Sequence, residues 1–322
     1  MKRLLFAIFI IMLACTLASG AQWSPLFSKK QPGGMYGVMN AAAQTGGSIF
    51  FVDSNTGTDG AGYGQNPSSP VATIDYAIGL CTANKGDIIY VMPQHAETVT
   101  AAITADIAGI SIIGMGEGRN RPTVTGNGTI DALTVTANDV LIANLIFAVP
   151  GTDAQTADIN IAAARCTVKN TVHHGSTTSK NKVDIITITA AGHDALIDGV
   201  RIYNDTVEVV GGITLEGAAK RVEVANVFVF DSIGFTNGAI SDEATALGLY
   251  VHDSVFSNAK ADTVVAEFGN NTTGVMQNCF VNGRHTTIAS NITAGTGMAF
   301  YEVYVVEEAA KNGLLMPAVD AD

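Results

Sequence analysis

The stretch Val140-Leu-Ile-Ala-Asn144 returns as Cys166-Thr-Val-Lys-Asn170, Ala195-Leu-Ile-Asp-Gly199, Val222-Glu-Val-Ala-Asn226 and Leu249-Tyr-Val-His-Asp253. Ile110-Ser-Ile-Ile-Gly114 precedes the series, and Gly274-Val-Met-Gln-Asn278 and Met298-Ala-Phe-Tyr-Glu302 follow it. The first and third positions are apolar almost throughout, and the fifth is Gly, Asn, Asp or Glu. Copies recur every 24 to 30 residues. Self-similarity at such a period marks a repeat architecture, and it sets how each isolated polar residue is read.

A second apolar pair stands roughly ten residues before most copies, as in Leu133/Val135, Ile159/Ile161, Ile186/Ile188, Ile213/Leu215 and Ala266/Phe268. Alternation at period two puts each pair on one face of a strand. One such unit cannot bury its own apolar face, whereas stacked units can, each strand pairing in parallel with its counterpart in the next coil. The expected fold is therefore all-β: a right-handed parallel β-helix of about eight turns. The column Gly114, Asn144, Asn170, Gly199, Asn226, Asp253, Asn278 and Glu302 reads as a row of tight corners. Asn, Asp and Gly tolerate unusual backbone angles there, and stacked asparagines can hydrogen-bond from turn to turn.

Outward from the repeat, residues 1–21 read as a secretory signal peptide. Lys2 and Arg3 precede the apolar stretch Leu4 to Leu17, and Ser19 and Ala21 give a small-x-small cleavage site. A lipoprotein reading would use Cys15 instead. Residues 22–48 form an irregular arm, and 49–98 an N-terminal cap. In that cap a strand at 48–53 leads into a Gly-rich loop and then an amphipathic helix at 73–83. Thr73 is its candidate N-cap, and Ile74, Ala77, Ile78 and Cys81 form its apolar face. The β-helix runs over 99–306. Residues 307–322 form a C-terminal cap and tail, with a short helix expected over Glu307 to Leu315.

Composition narrows the function classes. The net charge is −12, and the seventeen basic residues are dispersed, with Lys180 and Lys182 the densest spot, in a polar stretch. A nucleic-acid partner would want a basic stripe, so none is expected. No second long apolar segment follows the signal, so no integral membrane segment remains after its removal. Cys81, Cys166 and Cys279 are an odd set at distant spacings and read as buried free thiols rather than a disulfide framework.

Three further stretches resemble known proteins: Phe51-Val-Asp-Ser-Asn-Thr-Gly57, Ser69-Pro-Val-Ala-Thr-Ile-Asp75 and Gly86-Asp-Ile-Ile-Tyr-Val-Met-Pro93. Together they resemble the N-terminal cap of the pectin-lyase-like β-helix superfamily. His95-Ala-Glu-Thr98, Asp106 to Gly114, Gly118 to Pro122 and Leu249 to Phe256 are similar to virion-associated β-helix proteins of environmental tailed phages. The resemblance covers residues 48 to about 316. It implies a β-helix in a structural role, or one acting on polysaccharide. Phage structural proteins normally lack signal peptides, so the export signal points to a secreted or cell-surface location, with a phage virion as the alternative.

Catalytic residues implied by the superfamily do not carry over. The Asn-Thr-Asp, Asp-Asp, Gly-His-Gly and Arg-x-Lys motifs of polygalacturonases are absent, His173-His174-Gly175 being the nearest echo. Asp198, Glu216 and Glu223 fall at different offsets, and Arg201 and Arg221 lack the aspartate cluster of calcium-dependent lyases. His173 and His174 are read as turn or loop residues, and His252 as exposed. Asp53, Asn55 and Asp59 resemble a calcium loop lacking its closing glutamate, the one candidate for a metal. Gly175 to Lys182 reads as a polar insertion between turns. No catalytic or cofactor-binding residue is assigned. The expected function is a non-enzymatic structural or adhesive protein of a virion or cell surface, self-associating or bound to other structural proteins. The alternative is a secreted polysaccharide-binding or polysaccharide-cleaving β-helix.

Overall fold

The computed structural model describes residues 46–148, 155–175, 182–204, 207–285, 290–306 and 314–316. The expected signal peptide, nearly all of the 22–48 arm and most of the C-terminal cap lie outside the described residues.

The chain is a parallel β-solenoid with three strands per coil. Sheet I has ten strands, from Ile49–Val52 to Gly297–Tyr301, and holds every copy of the repeat. Sheet II follows the corner column and runs from Ala96–Val99 to Val303–Val306. Sheet III has eight strands, from Ile103–Ala105 to Ile292–Ala294, one for each complete coil among the described residues. The sequence pairs fall into register: Val168 pairs with Ile142 and Ile197 in sheet I, and Ile186 with Ile159 and Ile213 in sheet III.

The interior is built from the apolar columns. Ile112, Ile142, Val168, Ile197, Val224, Val251, Met276 and Phe300 are all buried, as are Ile110, Val140, Cys166, Ala195, Val222, Leu249 and Met298. Fully burying side chains of the Val, Ile, Leu, Met and Phe class is worth about 1.5–3 kcal/mol each, so a continuous stack is the main source of cohesion. Phe147, Phe235, Phe256, Phe268 and Phe300 are among the largest fully buried side chains.

Seven of the eight fifth-position residues adopt left-handed backbone, with φ between 48° at Asn278 and 69° at Gly199. Gly114 is the exception and is there for space: a Cβ on it would sit 2.2 Å from the Asn144 carbonyl oxygen. Side chains step from coil to coil, but not as an Asn-to-Asn ladder. Asn144 donates to the Gly114 and Gly116 carbonyls, Asn226 to Asp198, and Asn278 to Asp253. A second left-handed column, Gly109, Asp139, Arg165, Asp194, Arg221 and Gly248, directly precedes the first repeat position on six consecutive coils. Its charges alternate, and Arg165 and Arg221 each form two hydrogen bonds to the aspartate one coil earlier.

Helix α1 (Ile74–Leu80) covers the first end with Ile74, Ala77 and Ile78 buried. Thr73 Oγ1 accepts from Tyr76 N, the expected N-cap. The helix stops three residues short of the expected end, because Cys81 turns to extended backbone. At the other end, Leu314–Met316 is not helical but a strand antiparallel to Val303–Val305; residues 307–313 lie outside the described set. No helix among the described residues is long and apolar enough to cross a membrane.

Candidate functional site

The outer face of sheet II carries four exposed aromatic residues, Phe228, Phe230, Phe280 and Tyr304. Register aligns Ile146, Val172, Arg201, Phe228, Val255, Phe280 and Tyr304 in one outward column. Beside it, His174, Tyr203 and Phe230 stack at centroid separations of 5.7 and 5.1 Å. The alternation that buries Val229 turns Phe228 and Phe230 outward, 38% and 47% exposed; Phe280 and Tyr304 are 41% and 46% exposed. None of the 29 acidic residues falls in that column or in the ring stack beside it.

Two cavities indent the corner between sheets I and II, at equivalent positions. One, of about 280 Å³, is lined by Arg121, Asn170, Val172, Arg201, Asn226 and Phe228. The other, of about 230 Å³, is lined by Asp253, Val255, Asn278, Cys279, Phe280 and Tyr304. In the first, Arg121 Nη1 donates to the Asn170 carbonyl at 3.1 Å, and Arg121 Nε is buried without a protein partner. Arg201 projects into the same cavity, whereas Arg221 stands at the opposite corner, paired with Asp194.

The outer side of sheet III gathers carboxylates of which the sequence singled out only Glu216. Leu215 pairs with Asp242, so Glu216 and Glu243 occupy one position on neighbouring coils. Burial pushes the Asp184 carboxyl up to about 6, against the hydrogen bond from Thr214 and with help from Glu216, Glu243 and Asp131. Burial, Glu243 and Asp131 also raise Glu216. Glu243 thus stands at the offset of Glu216 on the next coil, where Asp198 and Glu223 do not. The other carboxylates considered are committed: Asp198 pairs with Lys169 at 2.8 Å, and Glu223 with His252 at 3.0 Å.

The histidines also differ from expectation. Val172–His174 is a strand, not a loop, and His173 is fully buried with its ring flat against Phe147. Lys182 is not in a solvated loop but in the core, bonded to Asp158. His252 is only 17% exposed and lies between Asp253 and Glu223, whose hydrogen bonds outweigh its partial burial and raise its pKa.

The carboxylates of the expected calcium loop, Asp53 and Asp59, make turn and cap hydrogen bonds. Asp53 accepts from Asn55 N, Asn55 Nδ2 and Thr56 Oγ1. Asp59 accepts from the backbone of Ala72 and Thr73 and from Thr73 Oγ1. Among the described residues no group of three or more His, Cys, Asp or Glu is arranged to hold a metal. Among the described residues Cys81, Cys166 and Cys279 are free, with Cys166 and Cys279 buried.

No family model matches the chain, and no curated protein does. Among solved structures it is similar to a protein titled "Rhamnogalacturonan lyase", at 13% identity and a TM-score of 0.47 over 74% of each chain. It is also similar to "Geobacillus virus E2 - ORF18", at 12% identity and a TM-score of 0.32 over 73% of this chain and 57% of the other. Likenesses this distant carry no argument about chemistry, so the functional reading rests on the residues described above.

Proposed function

We propose that this chain is a structural or adhesive β-solenoid of an extracellular surface or virion, assembling with copies of itself through the outer face of sheet II. The carrying observation is the acid-free column Phe228, Val255, Phe280 and Tyr304, continued by the exposed Arg201. Contiguous apolar exposure of this kind marks a contact surface. The column follows the stacking direction of the coils, so rotation about a nearby axis brings it against itself, as symmetric assembly requires. A chain of net charge −12 repels its copies wherever carboxylates face each other, and this strip contains none.

Sedimentation velocity tests the assignment. The wild type is expected to be a dimer or trimer, and Phe228→Ser/Phe280→Ser a monomer with unchanged circular dichroism. A wild type that stays monomeric at high concentration contradicts it.

The cavity at Arg121 and Arg201 favours a second reading, binding of an acidic polysaccharide at the sheet I–sheet II corner. Under it, Arg201→Ala weakens retention on polyuronate. Cleavage of such a polymer, lost in Glu216→Ala, would replace the structural reading with an enzymatic one.

A further inference from the structure

Inside the corner where sheet II gives way to sheet III lies a set of polar side chains that the assembly surface does not use. Lys182 and Asp158 are 0% and 1% exposed. The Lys182 Nζ lies 2.7 Å from Asp158 Oδ1 and 2.8 Å from Oδ2, and donates to the His174 carbonyl at 2.5 Å. Gln155 Nε2 donates to Asp158 Oδ1 at 2.8 Å. His173 Nδ1 lies 3.0 Å from Oδ2, and its Nε2 2.9 Å from Thr171 Oγ1. The Phe147 ring stacks on the imidazole at 4.9 Å and screens it.

An ion pair in this place is costly, since both the ammonium and the carboxylate lose their hydration. Burial drives Lys182 toward the free amine. It opposes the Asp158 carboxylate too, although Lys182 and His173 outweigh it there and hold that carboxyl low. The charged and neutral forms of the pair differ by one proton moved across a 2.8 Å contact. In the neutral form an amine nitrogen lies within 2.8 Å of both oxygens of the carboxyl group, shielded from solvent, and holding two reacting groups together in this way favours an intramolecular reaction.

We propose that Lys182 and Asp158 condense to an intramolecular isopeptide bond. The Lys182 Nζ–Asp158 Cγ bond forms and the Cγ–Oδ2 bond breaks. Of the three ammonium protons, one stays on the amide nitrogen and two leave with Oδ2 as water. No oxidant, activated donor or outside proton is needed. Oδ2 is the leaving oxygen because His173 faces it and can hold a proton in transit, with Thr171 fixing the far side of the ring. Oδ1 is retained and keeps its bond from Gln155, and the new amide N–H keeps the His174 carbonyl. Two buried charges are replaced by one satisfied amide. The bond staples neighbouring coils, because Asp158 belongs to the strand Ala157–Ile161 and Lys182 lies two residues before the next, Asp184–Ile188.

Peptide mapping of the full chain, denatured and digested with trypsin, tests this. Trypsin cuts after lysines with a free side-chain amine. The expected result is no cut between Lys182 and Val183, and a branched peptide joined to the Asp158 peptide, one water lighter than the two linear peptides. Normal cleavage after Lys182, with both peptides at unmodified mass, would overturn the proposal. Lys182→Met should abolish the branched peptide; if that variant does not fold, the wild-type map decides alone. His173→Asn should lower the fraction joined after timed cell-free synthesis, with a rate loss on the order of a hundredfold. Joining at the wild-type rate in that variant would overturn the role given to His173.

Discussion

Glu216 and Glu243 stand at the same position on consecutive coils, each one residue past the Leu215–Asp242 pair, and both press on the buried carboxyl of Asp184. A carboxyl whose folded value lies at about 6, above its ordinary 3.8, keeps its proton in the fold over the interval between. The folded state binds more protons there, so stability falls as pH rises from about 4 through 6. Asp184→Asn removes the ionisation while leaving an acceptor for Thr214. Urea midpoints should show the variant gaining on wild type across that interval, to at most about 3 kcal/mol above pH 7, at about 1.4 kcal/mol per pKa unit. A wild type that gains stability on the variant from pH 4 to 7 would contradict this.

His252 offers a second titration of the same sense. Its pKa is raised by Asp253 and Glu223 against partial burial, so its stabilising contribution is complete below the ordinary histidine value and fades as pH rises through the folded one. In an NMR titration its ring should keep its proton to higher pH than a model histidine. Asp253→Asn should move the midpoint down. An unchanged midpoint in that variant would exclude Asp253 as a cause.

The corners can be tested at Asn226, where φ is 52° and the side chain donates to Asp198 at 2.8 Å. Asn226→Ala forces a Cβ residue without a local hydrogen bond into left-handed backbone, at a cost of about 1–2 kcal/mol. Asn226→Gly keeps the backbone and loses one exposed hydrogen bond, worth about 1 kcal/mol or less. Chemical denaturation should therefore rank wild type and Gly above Ala. Ala equal to Gly would mean that the corner carries no conformational requirement.

The solenoid was legible because its inward residues recur in columns and its corners demand a small set of residue types. The candidate sites were less legible, for a geometric reason. At the start of sheet III strands two successive residues are buried, as at Asp158 with Ile159, Ile185 with Ile186 and Ala239 with Ile240. Strict alternation puts Asp158 outside with Asn160, so its meeting with His173 and Lys182 was hidden, and Lys182 read as part of a polar insertion. The Glu216–Glu243 alignment was hidden because it depends on sheet III register rather than on the corner column used to align the copies. The aromatic face was hidden because sheet II strands follow the corners and vary most, from Val172-His-His174 to Phe228-Val-Phe-Asp231.

The central claim is that sheet II faces a second copy of the chain, and Val255 tests it most directly, lying midway along the column from Arg201 to Tyr304. Sheets packed face to face lie about 10 Å apart, within reach of a short bis-maleimide. Val255→Cys should be trapped by that reagent as a covalent oligomer of identical chains. Thr134→Cys, on the outer side of sheet III, should remain a single chain. If Val255→Cys takes up the reagent yet stays a single chain, or joins no more than Thr134→Cys does, the assembly surface is not sheet II.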